Sequence, residues 1–496
     1  MTTSITTAKR ASHQVTFVVL AVGVGAYALL QSLVTPVLPT IQAALHTSQA
    51  NVTWVLTAYL LSASIFTPIV GRLGDMRGKK KMFVIALIAL AVGSLLAALA
   101  TTLPIMIVAR VIQGVGGGVL PLAFGIIRDE FPSERVPGAV GLIASLTAIG
   151  AGLGIVLAGP IVSALNYHWL FWIPLIMIAL AALGAAFLVP ESENTTPGRI
   201  NWLTAVLLSA WLVALLVAVS EAPTWGWGSV SVIGLIVAAV VIGVVWVLVE
   251  ARSANPLIDM KMMAIRAVWT TNLAALLFGV AMYALFAFLP EFLQTPSAAG
   301  YGFGASITKS GVMILPQAVF MFLVGLVAGR LAQRFGSKLV LIVGALIGTA
   351  ALLILALAHT QEWEIYLATA LTGVGFGLAF SSMSNIIVAA VPREQTGVAS
   401  GMNANIRTIG GSLGAAVMAS IVTAKVLPTG LPVESGYTNG FLLLAAAVFL
   451  CAVAGVFIPA IGRHPVGGNL EEPEVALRHG ELALVPGGTV VGDESE

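Results

Sequence analysis

Fourteen apolar runs divide this chain, at 15–39, 52–70, 82–100, 104–127, 137–163, 169–189, 201–220, 229–250, 267–293, 309–328, 339–358, 364–390, 397–425 and 438–460. Each is long enough to cross about 30 Å of hydrocarbon at ~1.5 Å per residue of helix. Backbone in lipid has no water to bond, so runs of this kind fold as helices that satisfy their own N–H and C=O groups. The expected class is therefore an all-α integral membrane protein. Composition agrees: 58% of the residues are hydrophobic and 9% charged, whereas a soluble domain carries about a quarter charged residues.

The N-terminal Lys9 and Arg10 precede an apolar stretch, as in a secretory signal, but the stretch is too long for a signal core and reads as a retained first span. The single cysteine, Cys451, lies in an apolar run, which leaves no disulfide framework within the chain and no cysteine metal site. A formal net charge of +2 gives no reason to expect nucleic acid. What matters is where the charges fall.

With both termini placed in the cytoplasm, alternate loops hold the cations: Lys9, Arg10, Arg72, Arg77, Lys79, Lys80, Lys81, Arg128, Arg135, Arg199, Arg252, Lys261, Arg266, Arg330, Arg334, Lys338, Arg393, Arg463 and Arg478. Lys309 and Lys425 fall near the outside, and Arg110 and Arg407 fall within spans. One helix more or fewer would invert every later loop, so this asymmetry predicts an even number of spans with both ends inside.

A repeat points the same way. The basic segment Gly71-Arg72-Leu73-Gly74-Asp75-Met76-Arg77-Gly78-Lys79-Lys80-Lys81 has a weaker copy at Gly329-Arg330-Leu331-Ala332-Gln333-Arg334-Phe335-Gly336-Ser337-Lys338, eight spans later. Two six-span units in tandem would place the copies six apart, so two spans are inserted between them. The expected organisation is a six-helix bundle at 1–189, two inserted helices with linkers at 190–266, a second six-helix bundle at 267–460, and an acidic, disordered cytoplasmic tail at 461–496. The Trp225 and Trp227 pair in the turn between the inserted helices reads as an interfacial anchor.

The segment Gly71–Lys81 resembles the basic loop of the major facilitator superfamily, with Gly71, Leu73, Asp75, Gly78 and Lys79 at the family spacing. The span count and inserted pair resemble its fourteen-span drug:proton antiporter branch, of multidrug-efflux type, over residues 15–460. The resemblance implies the major facilitator fold, two pseudo-symmetric six-helix bundles that rock about a central cavity. It also implies a gate at Gly71, Asp75, Arg77, Gly78 and Lys79. There Asp75 takes a charge-assisted bond from a neighbouring helix end, with Arg128 or Arg135 as partners, Asp129 and Glu130 serve as gate partners, and the basic cluster sits at the anionic leaflet.

Arg110, in Arg110-Val111-Ile112-Gln113-Gly114-Val115-Gly116-Gly117-Gly118, resembles the family's fourth-span arginine, which is implicated in proton coupling. The cost of an intramembrane charge, about 2.5–3.5 kcal/mol on insertion scales, turns it toward a cavity or partner. The following glycines lack a preceding strand and read as helix packing rather than as a nucleotide loop. In the fifth span Gly141, Gly150, Gly154 and Gly159 keep a small packing face, while Ile155 and Ala158 depart from the family's antiporter motif and Pro160 supplies a kink nearby. In the first span Gln31 stands near a position where many relatives carry an acid.

That leaves Glu291, toward the outer end of the ninth span, as the second proton-coupling candidate beside Arg110. Desolvation would have to bring its titration toward neutral pH, and an interfacial glutamate is the alternative. Gln31, Gln113, Asn403, Asn405 and Arg407 are the cavity or substrate candidates, with a structural network between helices as the alternative for the last three.

The six histidines have no metal spacing and there is no nucleophile elbow, so neither an enzyme nor a metal site is expected. The resulting expectation is a monomeric, multi-pass inner-membrane exporter of neutral or anionic amphipathic molecules (drug or antibiotic efflux). It would exchange them for protons, with the protonmotive force in place of a cofactor. A facilitator or importer on the same fold, and a non-transporting receptor or scaffold, stay open as alternatives.

Overall fold

The computed structural model describes residues 13–47, 49–52, 54–191, 195, 201–253, 256–429 and 431–459. Lys9, Arg10, Arg199, Arg463, Arg478 and the acidic tail lie outside the described residues. Among the described residues fourteen long helices follow one another. They are α1 (His13–Val34), α2 (Trp54–Arg77), α3 (Lys79–Ala98), α4 (Leu103–Glu130), α5 (Val136–Ala164), α6 (Trp169–Leu188), α7 (Trp202–Trp225), α8 (Val230–Arg252), α9 (Arg266–Gln294), α10 (Ile307–Phe335), α11 (Ser337–Leu357), α12 (Glu362–Ala390), α13 (Thr396–Val422) and α14 (Glu434–Phe457). Thirteen are both long and apolar enough to cross a membrane. The exception is α13, which has 27 residues but carries Ser400, Asn403, Asn405 and Arg407 along its length.

Packing repeats with the same period as the sequence. Helix α1 lies against α5 and α6, α2 against α4, and α3 against α4 and α6. Eight helices later α9 lies against α13 and α14, α10 against α12, and α11 against α12 and α14. The two sets meet along two seams, α5 on α10 and α2 on α13, which exchange under the same repeat. Helices α7 and α8 pair with each other, and α7 leans on α2 and α13.

Small residues make these seams. A methyl group on Gly141 would meet Ser381 Oγ at 2.5 Å, and one on Gly159 would meet Thr308 Oγ1 at 3.0 Å, so both glycines face the second set of helices. Gly150 and Gly154 turn the other way, against Ala28 and Ser32 of α1. The Ser32 hydroxyl also donates to the Gly150 carbonyl at 3.1 Å. The fifth-span glycines thus divide between two interfaces, and α5 runs unbroken through Pro160.

The glycines of α4 tighten its middle into a 3₁₀ turn, Val115–Gly118, that sets its backbone against α2 and α3. Methyl groups on Gly114 and Gly116 would stand 2.7 Å from Ala63 N and from Leu90 Cδ1 respectively. Outward faces are apolar and exposed, most of all on α8, as expected of surface that meets lipid rather than protein.

Candidate functional site

The basic segment is not a loop. Helix α2 runs through Gly71, Asp75 and Arg77, and α3 begins at Lys79, leaving only Gly78 between them at φ 103° and ψ 127°. That conformation is open to glycine and costly for a residue with a Cβ. Arg77 and Lys81 are exposed, but Lys79 is fully buried, so it leaves the basic cluster expected at the leaflet. Its ammonium donates to Asp129 Oδ2 at 2.6 Å and to the Arg393 carbonyl at 3.3 Å, and stands 3.9 Å from Asp75 Oδ1.

Asp75, also fully buried, accepts from the backbone N–H of Gly397 at 3.1 Å and of Val398 at 2.9 Å. Those are among the orphan donors at the start of α13, so a carboxylate from α2 caps another helix and meets the positive end of its dipole. The sequence-based expectation of Arg128 or Arg135 in this place is corrected accordingly. Arg128 donates instead to Thr396 Oγ1 at 2.6 Å and to the Pro392 carbonyl at 3.2 Å, which fastens α4 to the same turn. Gly71 closes the seam: a methyl group there would stand 2.6 Å from the Gly397 carbonyl oxygen. At the neighbouring corner Gln333 bonds the Glu134 carbonyl. A hydrogen bond from its own backbone, aided by the Ser133 hydroxyl, holds the Glu134 carboxyl below its ordinary range.

Farther up the bundle lie the two intramembrane arginines. Arg110 Nε donates to the Val55 carbonyl at 2.9 Å, its Nη1 donates to Gln113 Oε1 at 2.7 Å, and the guanidinium sits 4.6 Å from the Tyr59 ring centroid. Gln113 passes the chain on to Ser94 Oγ at 3.2 Å. Gln113 is therefore a wedge between α3 and α4, away from the cavity lining expected of it.

Arg407 has a different setting. Its guanidinium lies 4.3 Å from the Phe380 ring centroid and interacts with the phenols of Tyr283 and Tyr27. Its Nε is buried without a hydrogen-bond partner. Tyr27 in turn interacts with Gln31 and Tyr59, whose hydroxyl is buried without a hydrogen-bond partner. The tyrosines thus bridge the two arginines across the halves, and Gln31 joins them.

Below Arg407 a small cavity is lined by Leu120, Pro121 and Phe124 of α4, Ser384 and Ile387 of α12, and Ser400, Asn403, Ala404 and Arg407 of α13. Asn403 donates to Asn272 Oδ1 of α9 at 2.9 Å, while Asn405 is buried with both side-chain polar atoms unpartnered. A larger groove beside Trp211, between α7 and α8, is apolar and lies among lipid-facing residues.

Glu291 is elsewhere. It stands at the far end of α9 on the exposed side, where Tyr437 donates to its Oε1 at 3.0 Å, beside the aromatic group Phe292, Tyr301, Tyr437 and Phe441. Arg110 and Glu291 share no partner, so the structure does not bring the two coupling candidates together. The residues missed from sequence are Tyr27, Tyr59, Tyr283 and Phe380. The available signal was a polar-tipped aromatic ring inside an apolar run.

Comparison with known proteins decides the family. The family model of the Major Facilitator Superfamily matches residues 20–415, with a second match over 273–485. The chain belongs to the Major Facilitator Superfamily. It is thus a multi-pass membrane transporter. Among its relatives, Multidrug resistance protein 3 of Bacillus subtilis is 27% identical over 84% of this chain and 81% of that protein. The Tetracenomycin C resistance and export protein of Streptomyces glaucescens is 29% identical over 83% and 76%. Multidrug resistance protein Stp of Mycobacterium tuberculosis is 28% identical over 83% and 76%. The crystal structure of the human organic anion transporter MFSD10 superposes with a TM-score of 0.65 at 16% identity, covering 89% of this chain and 99% of that one, which establishes likeness of fold.

Proposed function

We propose that this transporter exports neutral or anionic amphipathic organic molecules across the plasma membrane by alternating access, in exchange for protons, with its basic end toward the cytoplasm. The observation that carries the reading is the capping of α13 by Asp75 across the seam, reinforced by Lys79 and Arg128. A buried contact between halves that rests on two backbone donors is strong while aligned and lost as a unit when the helices part. That is the behaviour a two-state gate requires. The relatives named for multidrug resistance and export support the direction of transport and the breadth of substrate.

The test is accumulation of fluorescent amphiphiles in cells without their own efflux pumps. Lower accumulation in cells expressing the protein, restored by a protonophore, is the expected result. Unchanged accumulation with well-expressed protein would overturn broad efflux.

One observation favours a facilitator instead. Glu291 bonds to α14 rather than joining the arginine–tyrosine cluster, so no carboxylate among the described residues is paired with either arginine. Transport indifferent to an imposed proton gradient would select that reading.

A further inference from the structure

We propose that Arg407 and the Ser400–Asn403 wall beneath it form an anion-recognition site, and that the transported molecule is an amphiphile whose carboxylate or sulfonate completes the unfilled coordination of that guanidinium. The proposal rests on the transporter reading above and narrows its substrate class.

Four observations converge on it. Arg407 is about 94% buried, yet its Nε has no acceptor in the protein and no carboxylate among the described residues is paired with it. Burying a guanidinium without a counter-ion is costly, and the aromatic face of Phe380 and the phenols of Tyr283 and Tyr27 offset only part of that cost. The side chain also borders a cavity, and Ser400 Oγ in the same lining is buried without a partner. An anion seated there would meet the free Arg407 Nε–H, with the Ser400 hydroxyl about two helical turns back along the same helix.

The wall facing Arg407 from the other half is apolar, made of Leu120, Pro121 and Phe124, and the cavity of about 10 Å³ has space for roughly one water, so the non-polar body of an amphiphile would enter only as the helices part. Finally, the backbone around Arg407 is fixed. Gly279 packs directly against the Arg407 carbonyl and Gly410 against that of Leu276, so α9 and α13 meet backbone to backbone within the second set of helices and the stretch bearing Arg407 is held in place. The site lies about 16 Å along α13 from the N-terminus capped by Asp75, counting ~1.5 Å per residue. One rigid helix therefore carries both the anion site and the gate contact.

The experiment uses the full-length purified protein and three matched probes: pyrenebutyrate, the neutral pyrenebutanol and a pyrenebutyl trimethylammonium. Equilibrium binding is read by energy transfer from tryptophan to pyrene, and transport is read in proteoliposomes. The wild-type protein is expected to bind the carboxylate at least about tenfold more tightly than the cation. Arg407→Gln should weaken the carboxylate about 10- to 100-fold, the range for losing a charge-assisted pair. The same variant should shift pyrenebutanol by less than about threefold, and Arg407→Lys should keep part of the preference.

Equal binding of the three probes, a preference for the cation, or a uniform loss of all three in Arg407→Gln would overturn the proposal. The wild-type comparison needs no variant to fold. Carboxylate-selective binding without transport would uphold the site while removing the exporter reading. Transport without charge selectivity would do the reverse.

Discussion

Arg110 and Arg407 are the same residue, each almost wholly buried in the membrane region and each lying on an aromatic ring, yet they differ in what remains unsatisfied. Arg110 spends its donors within its own half, on Val55 and Gln113, and is a structural strut between α2, α3 and α4. Arg407 keeps its Nε–H free beside a cavity between halves. Burial alone therefore does not mark a functional charge. The residual hydrogen-bonding capacity does, because a satisfied guanidinium has little left to offer a ligand.

The comparison is broken most directly by removing the satisfied member. Arg110→Leu leaves Gln113 Oε1 without its donor, removes the side-chain bond to the Val55 carbonyl and forfeits the Tyr59 contact, a loss of about 2–4 kcal/mol. It should appear as reduced folded yield after extraction, whereas Arg407→Gln should leave the yield close to that of the unaltered protein. Equal yields for the two would show that Arg110 is as open as Arg407.

Lys79 at the basic end extends the satisfied class. Lys79→Met removes the 2.6 Å cation partner of the buried Asp129 carboxylate and should cost about 2–3 kcal/mol of unfolding free energy. Adding Asp129→Leu should recover at least about half of it, as a double-mutant cycle measures. Asp75→Asn removes the charge and replaces one acceptor oxygen by a donor facing an N–H group. A loss of about 1–2 kcal/mol from the closed seam should raise hydrogen exchange at Gly397 and Val398 roughly 5- to 30-fold. No change in exchange would separate Asp75 from closure.

Two smaller substitutions sharpen the contrast. Phe380→Leu removes the cation–π face under Arg407 and should cost about 0.5–2 kcal/mol in stability, while its effect on carboxylate binding shows how far that face orients the guanidinium. Tyr59→Phe deletes a hydroxyl that has no normal hydrogen bond and keeps the ring under Arg110, so stability should move by less than about 0.5 kcal/mol. A larger loss would reveal that the Tyr27–Tyr59 interaction supports the bridge between the arginines.

Much of the architecture was legible in the chain because lipid imposes one rule on every segment. A run must be long, apolar and helical, and a departure such as Arg407 in α13 stands out against that background. The repeat of the basic segment eight spans apart was legible for the same reason, and packing follows the same period. The site was harder to read. Arg110, Arg407, Asn403 and Gln31 could be singled out as polar residues in apolar runs, but nothing local distinguishes Gln113, which points to Ser94, from Gln31, which joins the tyrosines. Tyr27, Tyr59 and Tyr283 come from three helices more than two hundred residues apart at the extremes, and only their shared neighbours make them a group.

By itself, then, the sequence determined the number of long helices, the eightfold offset of the repeat and which residues would break the apolar pattern. Those properties follow from composition and spacing along one chain. The tertiary structure alone decided that Lys79 is buried against Asp129, that Asp75 caps a helix instead of meeting an arginine, and that Arg407 rather than Arg110 retains an open donor at Nε. Each of those depends on which helix faces which, and the partners of a buried polar group are fixed only when the faces meet.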